Sequence, residues 1–131
     1  MNLFTINQQS MDKKKLKFYP IENKFFKAPL SLYVGDWQEY NKEMKRLYKE
    51  NIVDGQLVCN SRQAKYWFDG AFSYKVMFLP ELKNISMLVH ELCHYCFDVL
   101  QTKGVIISQE NDEVFAYMFE YMFDKINNLK K

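Results

Sequence analysis

His90-Glu91-Leu92-Cys93-His94 sets two imidazoles four residues apart with a carboxylate directly after the first, an H-E-x-x-H pattern that uses both histidines of the chain. On a helix each residue turns about 100°, so the two rings lie about 40° apart on one face, within reach of one metal ion. Glu91 stands about 100° round from His90, off the line of ligation but close enough to touch a water on that metal. The chemistry this suggests is hydrolysis. A bound zinc ion (Zn2+) lowers the pKa of its water toward about 7, the glutamate takes the proton, and the hydroxide attacks a polarised carbonyl. The plainer alternative is a pair of surface histidines on a glutamate-bearing helix.

A catalytic zinc usually has three protein ligands and a water, so with both histidines spent the third donor has to be a carboxylate or a thiolate. Cys93 and Cys96 fall on the far flank of the helical wheel and read as core residues. Asp98 lies one turn beyond His94 and reads as hydrogen-bond support for a ligand histidine. Glu110-Asn111-Asp112-Glu113 opens the last helical segment, where acidic side chains also suit the helix dipole. Glu113 is the expected third ligand because the apolar run Val114-Phe115 follows it and Ala116 allows close helix approach, with Asp98 and Glu110 left open. Stabilising an oxyanion needs a donor, and Tyr117, one turn after Glu113, is the expected one ahead of Tyr121 and Tyr95. Each of these tyrosines also fits as a core aromatic.

The elements that must position these residues follow from the rest of the pattern. Leu30-Ser31-Leu32-Tyr33-Val34 alternates and stops at Gly35, which predicts a strand. Asp36 with Glu39 makes a capping box for a helix to about Lys49, whose Trp37, Tyr40, Met44, Leu47 and Tyr48 read as core. Asp54-Gly55 and Asp69-Gly70 read as tight turns, the second joining Lys65–Phe68 to Ala71–Leu79 as a hairpin. Asn84 caps the histidine helix, which ends at Gly104, and Ser108 caps a final helix from about Gln109 to Asn127 after a strand-like Val105-Ile106-Ile107. The expected fold class is α+β: a small, mostly antiparallel twisted sheet with the H-E-x-x-H helix and a C-terminal helix packed on it.

The chain has 131 residues, the size of one domain, with 48% hydrophobic and 17% aromatic residues to build a core. Residues 1–27 read as a partly ordered basic N-terminal arm carrying Lys13, Lys14, Lys15 and Lys17, and residues 28–131 as the domain. A net charge of +2 is too small to argue for nucleic acid, so no nucleic-acid partner is expected. Neither a membrane-spanning run nor a signal-peptide pattern is legible, and three cysteines make no even-numbered disulfide framework. A cytoplasmic location with free thiols is the expectation.

Residues 72 to 124, with His90-Glu91-Leu92-Cys93-His94 and then Glu110-Asn111-Asp112-Glu113-Val114-Phe115-Ala116-Tyr117, resemble small phage-type zincin-like proteins and, more distantly, the ImmA/IrrE metallopeptidases. That resemblance implies a minimal zincin-like domain with zinc at His90, His94 and Glu113, Glu91 as catalytic base, and a strand near Tyr74–Leu79 bordering the substrate cleft. It departs where a gluzincin often places an aspartate one turn after its ligand glutamate, a position held here by Tyr117. The function it implies is a zinc-dependent metallopeptidase acting on a peptide or protein substrate. The alternative is a non-catalytic zincin-fold phage or mobile-element protein that binds and blocks a host protein.

Overall fold

The computed structural model describes residues 15–130, so most of the expected N-terminal arm, including Lys13 and Lys14, lies outside the described residues. Four strands, β1 (Leu16–Ile21), β2 (Leu30–Gly35), β3 (Lys65–Asp69) and β4 (Tyr74–Leu79), form one sheet in the order β1-β2-β4-β3. The helices are α1 (Trp37–Tyr48), the single turn α2 (Asp54–Leu57), α3 (Ile85–Thr102) and α4 (Asp112–Asn127), which ends in a 3-10 turn at Asn128–Lys130. The fold is α+β with a mixed sheet: β1/β2 and β3/β4 pair antiparallel, while β2/β4 are parallel. A parallel pair needs a crossover, and the segment carrying α1, α2 and β3 supplies it.

Strand alternation divides the interior into two layers. Leu30, Leu32, Val34, Met77 and Leu79 face α3 and α4, where they meet Leu88, Leu92, Cys96, Val99, Met118, Met122 and Ile126. Tyr33, Val76, Phe78 and Trp67 face the other way onto Tyr40, Met44, Ile52 and Leu57. Both faces of the central strands are therefore covered, one by the histidine helix and its neighbour and one by α1, the helix expected after Asp36. Each fully buried Leu or Met contributes about 1.5–3 kcal/mol. The polar atoms in the second layer are satisfied: Trp67 Nε1 donates to Tyr40 Oη at 3.0 Å, and Tyr40 donates to the Leu57 carbonyl at 3.0 Å.

Most expected elements are present, and the differences have local causes. β1 falls inside the stretch read as an arm. Its lysine and proline belong to an edge strand that pairs with β2 alone, where a missing N–H costs no ladder bond. The Asp36 carboxylate caps α1 by accepting the Glu39 N–H at 3.0 Å, as the capping box predicts. Asp54-Gly55 opens the helical turn α2 rather than a reverse turn. The β3–β4 connection is longer than a two-residue turn: Asp69 Oδ1 accepts the N–H groups of Ala71 (2.8 Å) and Phe72 (3.2 Å), Ser73 takes the positive φ of 61°, and β4 starts at Tyr74. Asn111 accepts the Ser108 N–H at 2.7 Å and donates to the Ile106 carbonyl, so residues 105–108 form no strand and α4 starts at Asp112, without a Ser108 cap.

Gly35 holds the corner from β2 into α1 at φ 143°, and a Cβ there would stand 1.9 Å from the Lys15 carbonyl oxygen, which itself accepts the Asp36 N–H at 2.6 Å. Gly35→Ala is expected to cost about 2–4 kcal/mol in a urea unfolding experiment, because backbone rather than a movable side chain is in the way. A loss under about 0.5 kcal/mol would show that the corner is looser than the contact implies.

Candidate metal centre

α3 begins where Pro80 and a short turn end β4, and the Asn84 side chain caps it by accepting the Met87 N–H at 3.1 Å. Its buried face carries Leu88, Glu91, Leu92, Tyr95, Cys96, Asp98 and Val99, which leaves His90, His94 and Phe97 on the exposed side. The amphipathic pattern thus aims both imidazoles outward. Their Nε2 atoms stand 3.3 Å apart, with the rings 76° from coplanar. Two nitrogens each about 2.0–2.1 Å from one tetrahedral zinc would stand about 3.3–3.4 Å apart, so the separation fits a shared ion. It also fits a ring-to-ring hydrogen bond, which would hold the pair together without an ion.

Glu91 reaches to within 3.9 Å of His90 Nε2, with 10% of its side chain exposed against 68% for His90. Burial pushes its carboxyl above the usual range; His90, His94, Lys65 and a hydrogen bond from the Tyr66 backbone N–H pull the other way. The group is therefore held between two tendencies, desolvated yet facing positive charge, as a proton-accepting carboxylate needs. Tyr66 belongs to β3, and β3 is the sheet edge on this side. The strand bordering the site is therefore β3, and β4, expected in that place, lies inside the sheet between β2 and β3.

Asp98 does not support a histidine. It is buried and accepts Tyr66 Oη at 2.5 Å, Lys75 Nζ at 2.7 Å and Thr102 Oγ1 at 3.2 Å. The reason is rotational: seven residues turn a helix by about 700°, which puts Asp98 within about 20° of Glu91 and brings it round to the sheet. Burial and the Asp98 carboxylate push the Tyr66 phenol well above its ordinary range, so it stays a donor.

Glu113 is exposed in the first turn of α4. Among the described residues no three His, Cys, Asp or Glu side chains gather into a metal-holding group, so Glu113 is not brought to the two histidines here. On the helical wheel it lies about 140° from Met118, whose side chain starts the buried stripe Met118-Met122-Ile126. Glu110 is exposed in the preceding turn, held below the usual carboxylate range by the Ser108 hydroxyl. Tyr117 is 57% exposed on α4. Tyr95 is committed to the interior, donating to the Ala28 carbonyl at 2.5 Å and accepting Asn23 Nδ2 at 3.0 Å, and Tyr121 packs edge-on against Phe25. Cys59, Cys93 and Cys96 are free thiols, Cys96 wholly buried and Cys93 half-buried.

Two participants were not foreseen: Tyr66, whose phenol donates to Asp98, and Lys75, which pairs with the same carboxylate. The seven-residue spacing of Glu91 and Asp98 is the signal that could have found the shared face. No helix among the described residues is long and apolar enough to cross a membrane. Comparison of the chain with protein-family models, curated proteins and solved structures finds no match.

The Lys75–Asp98 pair is 9% and 5% exposed, so removing one partner leaves an uncompensated charge in the interior. Asp98→Ala is expected to destabilise the fold by about 3–5 kcal/mol in chemical denaturation, and the double change Lys75→Met/Asp98→Leu to recover much of that loss. Equal losses in the single and double variants would contradict a buried-charge origin.

Proposed function

We propose that the chain is a zinc-dependent metallopeptidase on a minimal zincin-like domain, acting on a peptide or protein substrate in the cytoplasm. The observation that carries this reading is the convergence of two exposed imidazole nitrogens, 3.3 Å apart, beside a buried Glu91 carboxylate. His90 and His94 would hold the ion, with Glu113 the candidate for the third donor. Zinc, when bound, polarises the scissile carbonyl and the attacking water.

The residues of the chain supply the rest. Glu91, partly desolvated beside the imidazoles, accepts the proton of the attacking water and returns it to the leaving amine. Lys65 adds positive potential where negative charge develops. Tyr117, the exposed one of the candidate tyrosines, is the proposed oxyanion donor.

A second reading, a non-catalytic zincin-fold phage or mobile-element protein that binds and blocks a host protein, draws support from a row of aromatics beside the histidines. Phe97 is 55% exposed and touches Phe115 at a ring distance of 4.9 Å, and the row continues through Phe119 and Phe123. Phe97 is exposed while Phe115, Phe119 and Phe123 are half-buried against the core, and an apolar surface of this kind can serve as a contact surface.

Metal analysis and a peptide-library assay separate the readings. The wild type is expected to carry zinc and cleave; Glu91→Gln keeps zinc while activity falls about 10²–10⁴-fold. His94→Ala loses the metal, and loss of zinc in Glu113→Ala would assign the third donor. Zinc-loaded wild type that cleaves no peptide would remove the peptidase reading. If chelation then lowers the melting temperature while partner binding survives Glu91→Gln, the binding-protein reading takes its place.

A further inference from the structure

We propose that one zinc ion joins two copies of this chain, held by His90 and His94 of each, and that this dimer is the closed form of the metal centre. The proposal rests on the metal-site reading above and names how that site is regulated. Among the described residues the two imidazoles have no third donor beside them, so each copy offers half of a tetrahedral set. Two halves related by a two-fold axis complete it. Such an axis, passing between His90 and His94, runs the two α3 helices antiparallel and sets each His90 opposite the partner's His94.

The rest of the exposed face of α3 suits a second copy. Seven residues return a helix to within about 20°, so Phe97 lies on the His90 line, with Ser86, Cys93 and Gln101 within about 60° of it. None of these side chains is charged, although charged residues make up 26% of the chain. Both charged residues of α3, Glu91 and Asp98, are buried. Depletion of charge marks the core of an interface rather than a solvated helix face. A second copy therefore meets this face without setting like charges against each other. Phe97 touches Phe115 of α4 at a ring distance of 4.9 Å, which widens the apolar border of the imidazole pair.

Charge and area make the ion decisive. Glu91 Oε2 lies 3.9 Å from His90 Nε2, so the dimer brings two carboxylates, one from each copy, beside a doubly positive ion. An 18-residue helix is about 27 Å long and 10–12 Å across, which gives one face a footprint of about 300 Å2 per copy. That is well below the roughly 800 Å2 per partner of a stable interface. The face alone does not hold two copies together, and association becomes conditional on zinc. With four nitrogens bound, no position remains for a water or a scissile carbonyl. When zinc exceeds one ion per chain each copy keeps its own, the pair separates and the open positions return.

Sedimentation velocity of the full chain, with zinc added stepwise after chelation and metal content measured on the same samples, tests the proposal. The expected course is monomer without metal, a dimer maximum near half an ion per chain, and monomer again in excess zinc. His94→Ala is expected to stay monomeric at every ratio, and Phe97→Ala to weaken the dimer about tenfold while still binding one ion per chain. Both side chains are exposed, so circular dichroism of the two variants is expected to match wild type. With Co2+ in place of zinc, added azide is expected to leave the visible band of the dimer unchanged and to shift that of the monomer. A dimer that survives chelation or His94→Ala would show that another surface holds it and overturn the proposal. An azide-sensitive dimer would overturn the closed site. One ion per chain with no dimer at any ratio would overturn the proposal and leave the metal-site reading standing, whereas a chain that takes up neither metal would bring down both.

Discussion

Two carboxylates, Glu91 and Asp98, are buried on the sheet-facing side of α3, and each needs a donor to offset its desolvation. Asp98 finds the Tyr66 phenol and Lys75, while the positive charges of His90, His94 and Lys65 act against the burial of Glu91. This polar seam inside an otherwise apolar interface sets the rotation of the helix. Leu88, Leu92, Cys96 and Val99 make α3 stick to the sheet, but apolar contact alone tolerates small rotations. The hydrogen bonds do not, because a shift of an ångström or so leaves a charge unpaired.

Fixing one face fixes the other. With Glu91 turned to β3, the residue before it and the residue three after it emerge on the exposed side, which is where His90 and His94 meet. The site thus sits at the seam between a helix and an unpaired strand edge, with desolvation on one side and open access on the other. Such a border gives a carboxylate a raised proton affinity and still lets a ligand approach. The same exposed side continues into Phe97 and the aromatic row of α4, so any macromolecule reaching the histidines would meet that row.

The helix bearing the histidines, its Asn84 cap, the strand at Leu30–Gly35 and the helix after Asp36 were legible because each rests on local chemistry: a cap, an alternation or a stop. β1 was not, since an edge strand carrying a lysine and a proline looks like a solvated arm until β2 is beside it. The start of α4 was misplaced because Asn111 uses its side chain inside the preceding turn rather than leaving Ser108 to cap. At the site, the convergence of the two imidazoles follows from i, i+4 spacing and could be argued in advance. The role of Asp98 could not be read one turn at a time. Four residues from His94 suggested the histidine face, while seven residues from Glu91 is the relation that the sheet enforces. The run Val114-Phe115-Ala116-Tyr117 suggests that Glu113 opens the buried end of α4, whereas the buried stripe of the helix is Met118, Met122 and Ile126 and Glu113 itself is exposed.

The proposed metallopeptidase requires His90 and His94 to bind the same ion through their Nε2 atoms. X-ray absorption spectroscopy of the zinc-loaded protein tests it most directly. A shared ion gives a first shell of nitrogen and oxygen at about 2.0–2.1 Å with outer-shell scattering from two imidazoles. A sulfur shell at about 2.3 Å, or scattering from fewer than two imidazoles, would contradict it.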